Sequence, residues 1–161
     1  MSLKSSSITL TSCKKIRGTV RVPGDKSISH RALIFGSLAS GTSEIRHIAP
    51  GKDCVSTYRC LKELGIQLTA KSNEQDTVYI AGHGHDTMVE PDNVLNSGNS
   101  ATTMRLLCGI LAAQPFISVL NGDHSLRLRP MDRVIEPLRL MGAEIYGRQN
   151  DRFVLLCLNL P

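Results

Sequence analysis

"VPGDKSISHRALIFGSLASG" (residues 22–41) decides the fold, because its opening is written a second time further along the chain. "GDKSISHR" (Gly24 to Arg31) is echoed by "GNSATTMR" (Gly98 to Arg105): a glycine, then Asp or Asn, then small and hydroxyl residues, with an arginine seven places after the glycine. Downstream, "LKELGIQL" is echoed by "LRLMGAEI". The interval from arginine to second glycine is 34 residues for Arg31 to Gly65 and 37 for Arg105 to Gly142, a difference that a loop absorbs. Self-similarity at a fixed period marks one supersecondary unit used more than once.

Periodicity fills in the unit. "ITLTS" and "GTVRVP" alternate like strands, "SISHRALIFGSLAS" reads as a helix closed by Gly41, and "SEIRHI" as a strand. "KDCVSTYRCLKEL" is a second helix stopped by Gly65, at the position glycine favours, and "IQLTA" and "TVYIAG" are strands about the polar turn "KSNEQD". The pattern then restarts: helix "SATTMRLLCGILAAQ", strand "FISVLNG", helix "PMDRVIEPLRLM" stopped by Gly142, and strands "AEIYG" and "FVLLCL". Pro130 falls where a helix start tolerates proline, and Pro137 predicts a bend inside its helix. The expected fold is therefore α/β, built from repeated βαβαββ units, with close to two copies in the chain.

Composition narrows the function. With 161 residues, 41% hydrophobic and 20% charged, the chain can bury one core. No run of 18 or more apolar residues occurs, which argues against a membrane span. The start, "MSLKSSSITLTSCKK", is Ser-rich and basic as a transit peptide can be, but it lacks the apolar stretch of a signal peptide and is read as the first element of the fold. Five cysteines (Cys13, Cys54, Cys60, Cys108, Cys157) are odd in number and form no CxxC pair, so a reduced, cytoplasmic chain is expected. Cys54, Cys108 and Cys157 sit in apolar or helical patterns. "GHGHD" (Gly82 to Asp86) alternates His83 and His85 but offers no third ligand, so a glycine-rich turn is preferred over a metal site. The net charge of +5 suits an anionic partner. Scattered Lys and Arg, no Trp and 4% aromatics point to small anions rather than nucleic acid.

Both echoes open a helix, and a helix N-terminus presents unpaired N–H groups and the positive end of its dipole. Ser27 and Arg31 are four apart and share a face; Lys26 lies just before it. Hydroxyl, guanidinium and ammonium together would enclose a phosphate. The plainer alternative is that Asp25 or Ser27 caps the helix and the cations are solvated. The second entrance carries Ser100, Ala101, Thr102 and Thr103 and no lysine. Arg127 and Arg129 of "HSLRLRP" would face the same way if that stretch is extended. No Walker, GxGxxG or GxSxG motif occurs, and the adjacent Ser29 and His30 diverge on a helix, which disfavours serine catalysis. The residues alone reach binding of small phosphorylated anions.

"VPGDKSISHRAL", "LNSGNSATTMRLLCG" and "RPMDRVIEPLRLMGAEI" resemble signature stretches of the 5-enolpyruvylshikimate-3-phosphate synthase family, over about Ile8 through Arg148. The resemblance implies the enolpyruvyl transferase fold, an inside-out α/β barrel of such units. It implies a strand segment at 1–20 belonging to the other domain and an incomplete substrate-binding domain at 21–161, made of units 22–82 and 94–158. It further implies transfer of enolpyruvyl from phosphoenolpyruvate to the 5-hydroxyl of shikimate 3-phosphate with release of phosphate, in a cytoplasmic and usually monomeric enzyme that uses no metal or organic cofactor. Lys26 would serve both ligands and the chemistry. Ser27 and Arg31 would hold shikimate 3-phosphate; Asn99, Ala101, Thr102 and Arg129 would line the phosphoenolpyruvate side, with Arg105 shaping the same wall.

The sequence departs from the family's pattern twice. Ala101 stands where many members carry glycine, which predicts glyphosate tolerance. The chain also ends far short of the family's length, without the Ser-Ser-Gln stretch, the acidic general base or the remaining arginines. It is therefore expected to lack turnover alone and to expose apolar surface through which it self-associates. The rival readings are a non-catalytic phosphate-binding fragment and the related transferase acting on UDP-N-acetylglucosamine. "DKSISHR" argues against the latter, as does the lack of a cysteine in a mobile-loop context.

Overall fold

The computed structural model describes residues 7–70, 76–84 and 88–159. In the first unit, α1 (Lys26–Leu38) leads to β1 (Ser40–Ile45), α2 (Lys52–Glu63), β2 (Gln67–Ala70) and β3 (Val78–His83). In the second, β4 (Leu95–Asn96) precedes α3 (Ala101–Leu111), β5 (Ser118–Asn121), a 3-10 turn (Leu126–Leu128), α4 (Asp132–Leu140), β6 (Glu144–Gly147) and β7 (Phe153–Asn159). The sheets run β1-β3-β2 and β4-β5-β7-β6. Set β4 aside and the two orders are the same: β5 stands where β1 does, β7 where β3 does and β6 where β2 does. Every pairing is antiparallel except β4 with β5. The repeat read from the sequence is thus a repeat of topology, in open sheets.

The helix stops repeat at atomic detail. After α2, Gly65 N–H reaches the Lys62 carbonyl and Ile66 N–H the Leu61 carbonyl, each at 3.0 Å. After α4, Gly142 N–H reaches Arg139 (2.9 Å) and Ala143 N–H reaches Leu138 (3.0 Å). Both are the double bond of a Schellman stop, and both glycines take the positive φ that it requires, +82° and +99°. α3 buries Met104, Leu107, Cys108 and Leu111, an i, i+3, i+4, i+7 stripe. That stripe joins Leu33, Leu61, Leu64, Ile80, Leu120 and Ile135 in one core continuous across both units. Cys54, Cys60 and Cys108 are buried, Cys13 is exposed, and Cys157 lies in β7.

Several expectations are corrected. "ITLTS" and "GTVRVP" form no paired strand among the described residues; Ile8, Leu10, Ile16, Val20 and Val22 are all more than four-fifths exposed. Alternation sets which side faces a core, but only a partner edge supplies the ladder bonds that make a strand. Gly41 does not close α1: the helix ends at Leu38, and Gly41 lies in β1 opposite Gly82. A Cβ at Gly82 would stand 2.2 Å from the Ala39 carbonyl oxygen, so this close pass over the end of α1 requires glycine and draws β1 earlier than "SEIRHI". Pro130 does not open α4, whose cap is Met131; it forms an isolated bridge with Phe153. The backbone at Leu126–Leu128 is a 3-10 turn, so Arg127 and Arg129 do not alternate along a strand. Pro137 does lie inside a helix, as expected, since α4 runs from Asp132 to Leu140.

Candidate functional site: two helix entrances joined through α2

At the first entrance, Asp25 is the cap: its Oδ1 accepts from Ile28 N–H at 2.7 Å. Ser29, pointing inward, donates to the Asp25 carbonyl (2.7 Å) and accepts from Ala49 N–H (2.9 Å), which ties the entrance to the loop after β1. Gly24 lets that loop close in, since a Cβ there would lie 1.7 Å from the His47 carbonyl oxygen. The side chains of Ser27 and Arg31 are exposed and make no hydrogen bond or ion pair with other described residues. Lys26 pairs with Asp53 of α2, Nζ to Oδ2 3.1 Å, with side chains 56% and 32% exposed. An ion pair in that setting contributes about 1 kcal/mol or less, so the ammonium is oriented without being used up.

At the second entrance the cap is Ser100, accepting from Thr103 N–H at 3.1 Å. Ala101 and Thr102, the first two residues of α3, are half-buried. Asn99 donates its amide to Asp123 Oδ2 (2.7 Å) and accepts from the Arg129 guanidinium through Oδ1 (3.2 Å). Asp123 also accepts from Leu126 N–H through Oδ1 (2.8 Å), while its own N–H donates to the Gly98 carbonyl (2.7 Å). The Asn99 amide first, and the Leu126 N–H second, hold the Asp123 carboxyl below the usual carboxylate range. Arg129, three residues beyond Leu126, is thereby brought to the α3 entrance. Arg105 leans toward the same place, its guanidinium 3.5 Å from the Pro130 carbonyl, with Nε buried and unpartnered among the described residues.

α2 joins the entrances. Its first turn carries Asp53, whose carboxylate faces Lys26 and whose carbonyl accepts from Thr103 Oγ1 of α3 at 3.2 Å. Beneath the surface, His30 Nδ1 lies 2.6 Å from Thr57 Oγ1, and Thr57 Oγ1 lies 2.7 Å from Thr103 Oγ1. Burial, the largest influence, pushes the imidazole below its ordinary pKa, opposed by Asp53 and assisted by Lys26. The candidates Lys26, Ser27 and Arg31 therefore share one entrance, and Asn99, Ala101, Thr102 and Arg129 the other.

The sequence reading missed Asp53, Asp123 and Thr57, and placed Thr103 at the second entrance without its buried contacts. An acid in a first helical turn and a "GD" before a turn were visible signals, but contacts 27 or 24 residues apart are not written in local spacing. Burial pushes the Cys60 and Cys108 thiols up to about 12, which leaves them inert packing groups. No cluster of three His, Cys, Asp or Glu able to hold a metal occurs among the described residues; His83 ends β3 and His85 lies outside them.

The class that the fold defines is an α/β protein of repeated units, and its two neighbouring helix entrances gather cations and hydroxyls able to receive small anions. The family model of EPSP synthase (3-phosphoshikimate 1-carboxyvinyltransferase) matches residues 10–159, and the chain belongs to that family. It is 56% identical over 135 residues to the 3-phosphoshikimate 1-carboxyvinyltransferase of Pelotomaculum thermopropionicum, covering 84% of this chain and 31% of the relative. The protein of the same name from Herpetosiphon aurantiacus is 49% identical over 142 residues, covering 88% and 32%. The solved EPSP synthase of Acinetobacter baumannii superposes with a TM-score of 0.84 at 39% identity, covering 89% of this chain and 32% of that one. The chain thus spans about a third of the length of these relatives. Among the described residues no helix is long and apolar enough to cross a membrane.

Proposed function

We propose that this chain supplies one half-site of an enolpyruvyl transfer: the oxyanion and phosphate contacts for shikimate 3-phosphate and phosphoenolpyruvate. The observation that supports the reading is Asp53, which touches both helix entrances and so holds them side by side. Lys26, Ser27 and Arg31 hold shikimate 3-phosphate. Asn99, Ala101, Thr102 and Arg129 hold phosphoenolpyruvate, with Arg129 on its phosphate and Lys26 reaching both ligands.

In the reaction, the 5-hydroxyl oxygen bonds to C2 of phosphoenolpyruvate as C3 gains a proton and the hydroxyl proton leaves. The tetrahedral intermediate then loses phosphate by breaking its C2–O bond and returns the C3 proton, regenerating the enol double bond. The cations act by holding the reactants in register and by stabilising charge that gathers on the phosphate oxygens. No cofactor is required by this chemistry. In this reading residues 1–20 pair outside the domain and residues 21–161 are an incomplete substrate domain of two units, 22–82 and 94–158. The setting is cytoplasmic, and the exposed apolar row from Ile8 to Val22 favours self-association.

The test is calorimetric titration of the folded chain with shikimate 3-phosphate, with Arg31→Ala beside it. Saturable binding abolished by the substitution is expected. A flat titration of a chain shown to be folded would refute a preformed seat, and with it both the half-site and the phosphate-binding fragment readings.

A further inference from the structure

Phosphate contacts account for the exposed groups at the entrances but not for what lies beneath them. His30, Thr57, Ser100 and Thr103 are each 0% exposed and come from α1, α2, the α3 cap and α3. Their polar atoms form one unbroken chain: His30 Nδ1 to Thr57 Oγ1 at 2.6 Å, Thr57 to Thr103 Oγ1 at 2.7 Å, and Thr103 Oγ1 to Ser100 Oγ at 2.7 Å. A side branch runs from Thr103 Oγ1 to the Asp53 carbonyl at 3.2 Å. A packed interface of three helices would be served as well by Val, Leu and Ala, and burying hydroxyls is favourable only when each is bonded.

Each hydroxyl has a single proton, so the bonds must be ordered. Two fully sequential orders satisfy all three links, one running in each direction. In one, His30 Nδ1–H donates to Thr57, Thr57 to Thr103, and Thr103 to Ser100 Oγ. In the other, Ser100 donates to Thr103, Thr103 to Thr57, and Thr57 to a bare His30 Nδ1. Thr103 gives its proton to the Asp53 carbonyl only where Ser100 donates to Thr103 and Thr57 donates to Thr103 as well. Within either sequential order each link depends on the one before it, so the chain behaves as a unit. One end lies on α1, four residues from Lys26; the other is the residue that caps α3 immediately before Ala101.

We propose that Thr57 and Thr103 are positioning residues that couple the two entrances, so that an anion seated at Lys26, Ser27 and Arg31 alters the cap and first turn of α3. The inference rests on the proposed function for the identity of the anion. Asp53 strengthens the case, because drawing Lys26 away from its carboxylate acts on the same α2 turn whose carbonyl Thr103 holds.

The experiment is amide NMR of the complete 15N-labelled chain, as wild type, Thr57→Val and Thr57→Ser, each without ligand and with shikimate 3-phosphate. In the wild type, ligand is expected to move the Lys26, Ser27 and Arg31 amides and, with the same midpoint, those of Asn99 to Thr103. Thr57→Val, nearly the same shape without the hydroxyl, is expected to keep the first response and lose the second, and Thr57→Ser to restore it. A second response that persists in Thr57→Val overturns the coupling, as does a wild type in which only the first entrance responds, a result that needs no variant. If ligand moves nothing in the wild type, the proposed function fails instead. The positioning claim is then judged on the unliganded spectra: it stands if Thr57→Val shifts Asn99 to Thr102 and Thr57→Ser does not, and falls if their positions are unchanged. Should Thr57→Val not fold, His30→Leu replaces it, cutting the chain at its other end because Leu has no polar atom to meet Thr57 Oγ1, with the same expected loss and the same refuting result.

Discussion

His30 is an ionisable group whose surroundings disfavour its charged form. Its ring is fully buried, and burial holds its pKa below the ordinary value of 6.5. The sign of the consequence follows from linkage. Above that value the imidazole is neutral in both folded and unfolded chains, and its contribution is complete. As pH falls from the ordinary value toward the lowered one, the unfolded chain takes up a proton that the folded chain refuses, and stability drops. Melting temperature is therefore expected to fall more steeply for the wild type than for His30→Asn as pH is lowered through the ordinary imidazole value of 6.5; equal slopes would remove His30 from the account. Ala101 poses a residue-scale question of size. Its methyl sits half-buried at the first turn of α3, beside the cap Ser100 and two residues from Asn99, which holds Arg129. In a complete synthase carrying this N-terminal sequence, Ala101→Gly is expected to tighten inhibition by glyphosate about tenfold, or about 1.4 kcal/mol, with a smaller change for phosphoenolpyruvate. An inhibition constant unmoved by the substitution would end the idea that this methyl narrows the pocket.

Elements show how far local pattern reaches. The two Schellman stops were legible because a glycine after an amphipathic run is a local signal, and both fall where "LKELGIQL" and "LRLMGAEI" put them. The helices were legible for the same reason, and so was the grouping of Lys26, Ser27 and Arg31 at one helix entrance, since the three lie within six residues. What was not legible was anything decided across the chain. β1 starts early because Gly41 meets Gly82; the stretches before α1 alternate yet find no edge among the described residues; Arg129 reaches Asn99 only through a 3-10 turn capped by Asp123. The candidates at the second entrance were therefore named by resemblance of motifs, and it is the fold that brings Arg129 to Asn99. The stops also differ in a way that the echo conceals. At Gly142 an added Cβ meets open space, so Gly142→Ala carries only the strain of a positive φ, about 1 kcal/mol. At Gly65 the added Cβ would stand 2.8 Å from Val89 Cγ2, so Gly65→Ala carries the same strain and about 1 kcal/mol more of overpacking. Urea denaturation of both variants should rank Gly65→Ala as the more damaging; the reverse order would mean that Val89 yields freely and the stops are equivalent.

Across the whole molecule, two units share one core yet leave apolar surface uncovered. Leu140 and Met141 at the end of α4 are 90% and 82% exposed, beside an apolar groove of about 370 Å³ lined by Ala112, Ala113, Leu138 and Ala143. In repeat proteins each unit buries its neighbour's face, so such surface is what a stacked unit ordinarily covers. The chemistry is divided in the same manner. Lys26, Arg31 and Arg129 can attract and orient two anions, but the proton that must reach C3 and the one that must leave the 5-hydroxyl need groups with free acid or base capacity facing the reactants. The acids identified at the entrances are committed elsewhere: Asp25 caps α1, Asp53 pairs with Lys26, and Asp123 is held by Asn99 and the Leu126 N–H. General acid–base transfer alone is worth about 10² to 10⁴ in rate, and positioning by a two-sided clamp contributes more. The chain is accordingly expected to bind without turning over. Incubated at high concentration with both substrates, it should release phosphate no faster than a buffer blank, and Lys26→Ala should behave identically. Phosphate release above the blank that disappears in Lys26→Ala would show that these two units contain a working acid and base, and would require reassigning Asp53, the carboxylate nearest to Lys26, from positioning to proton transfer.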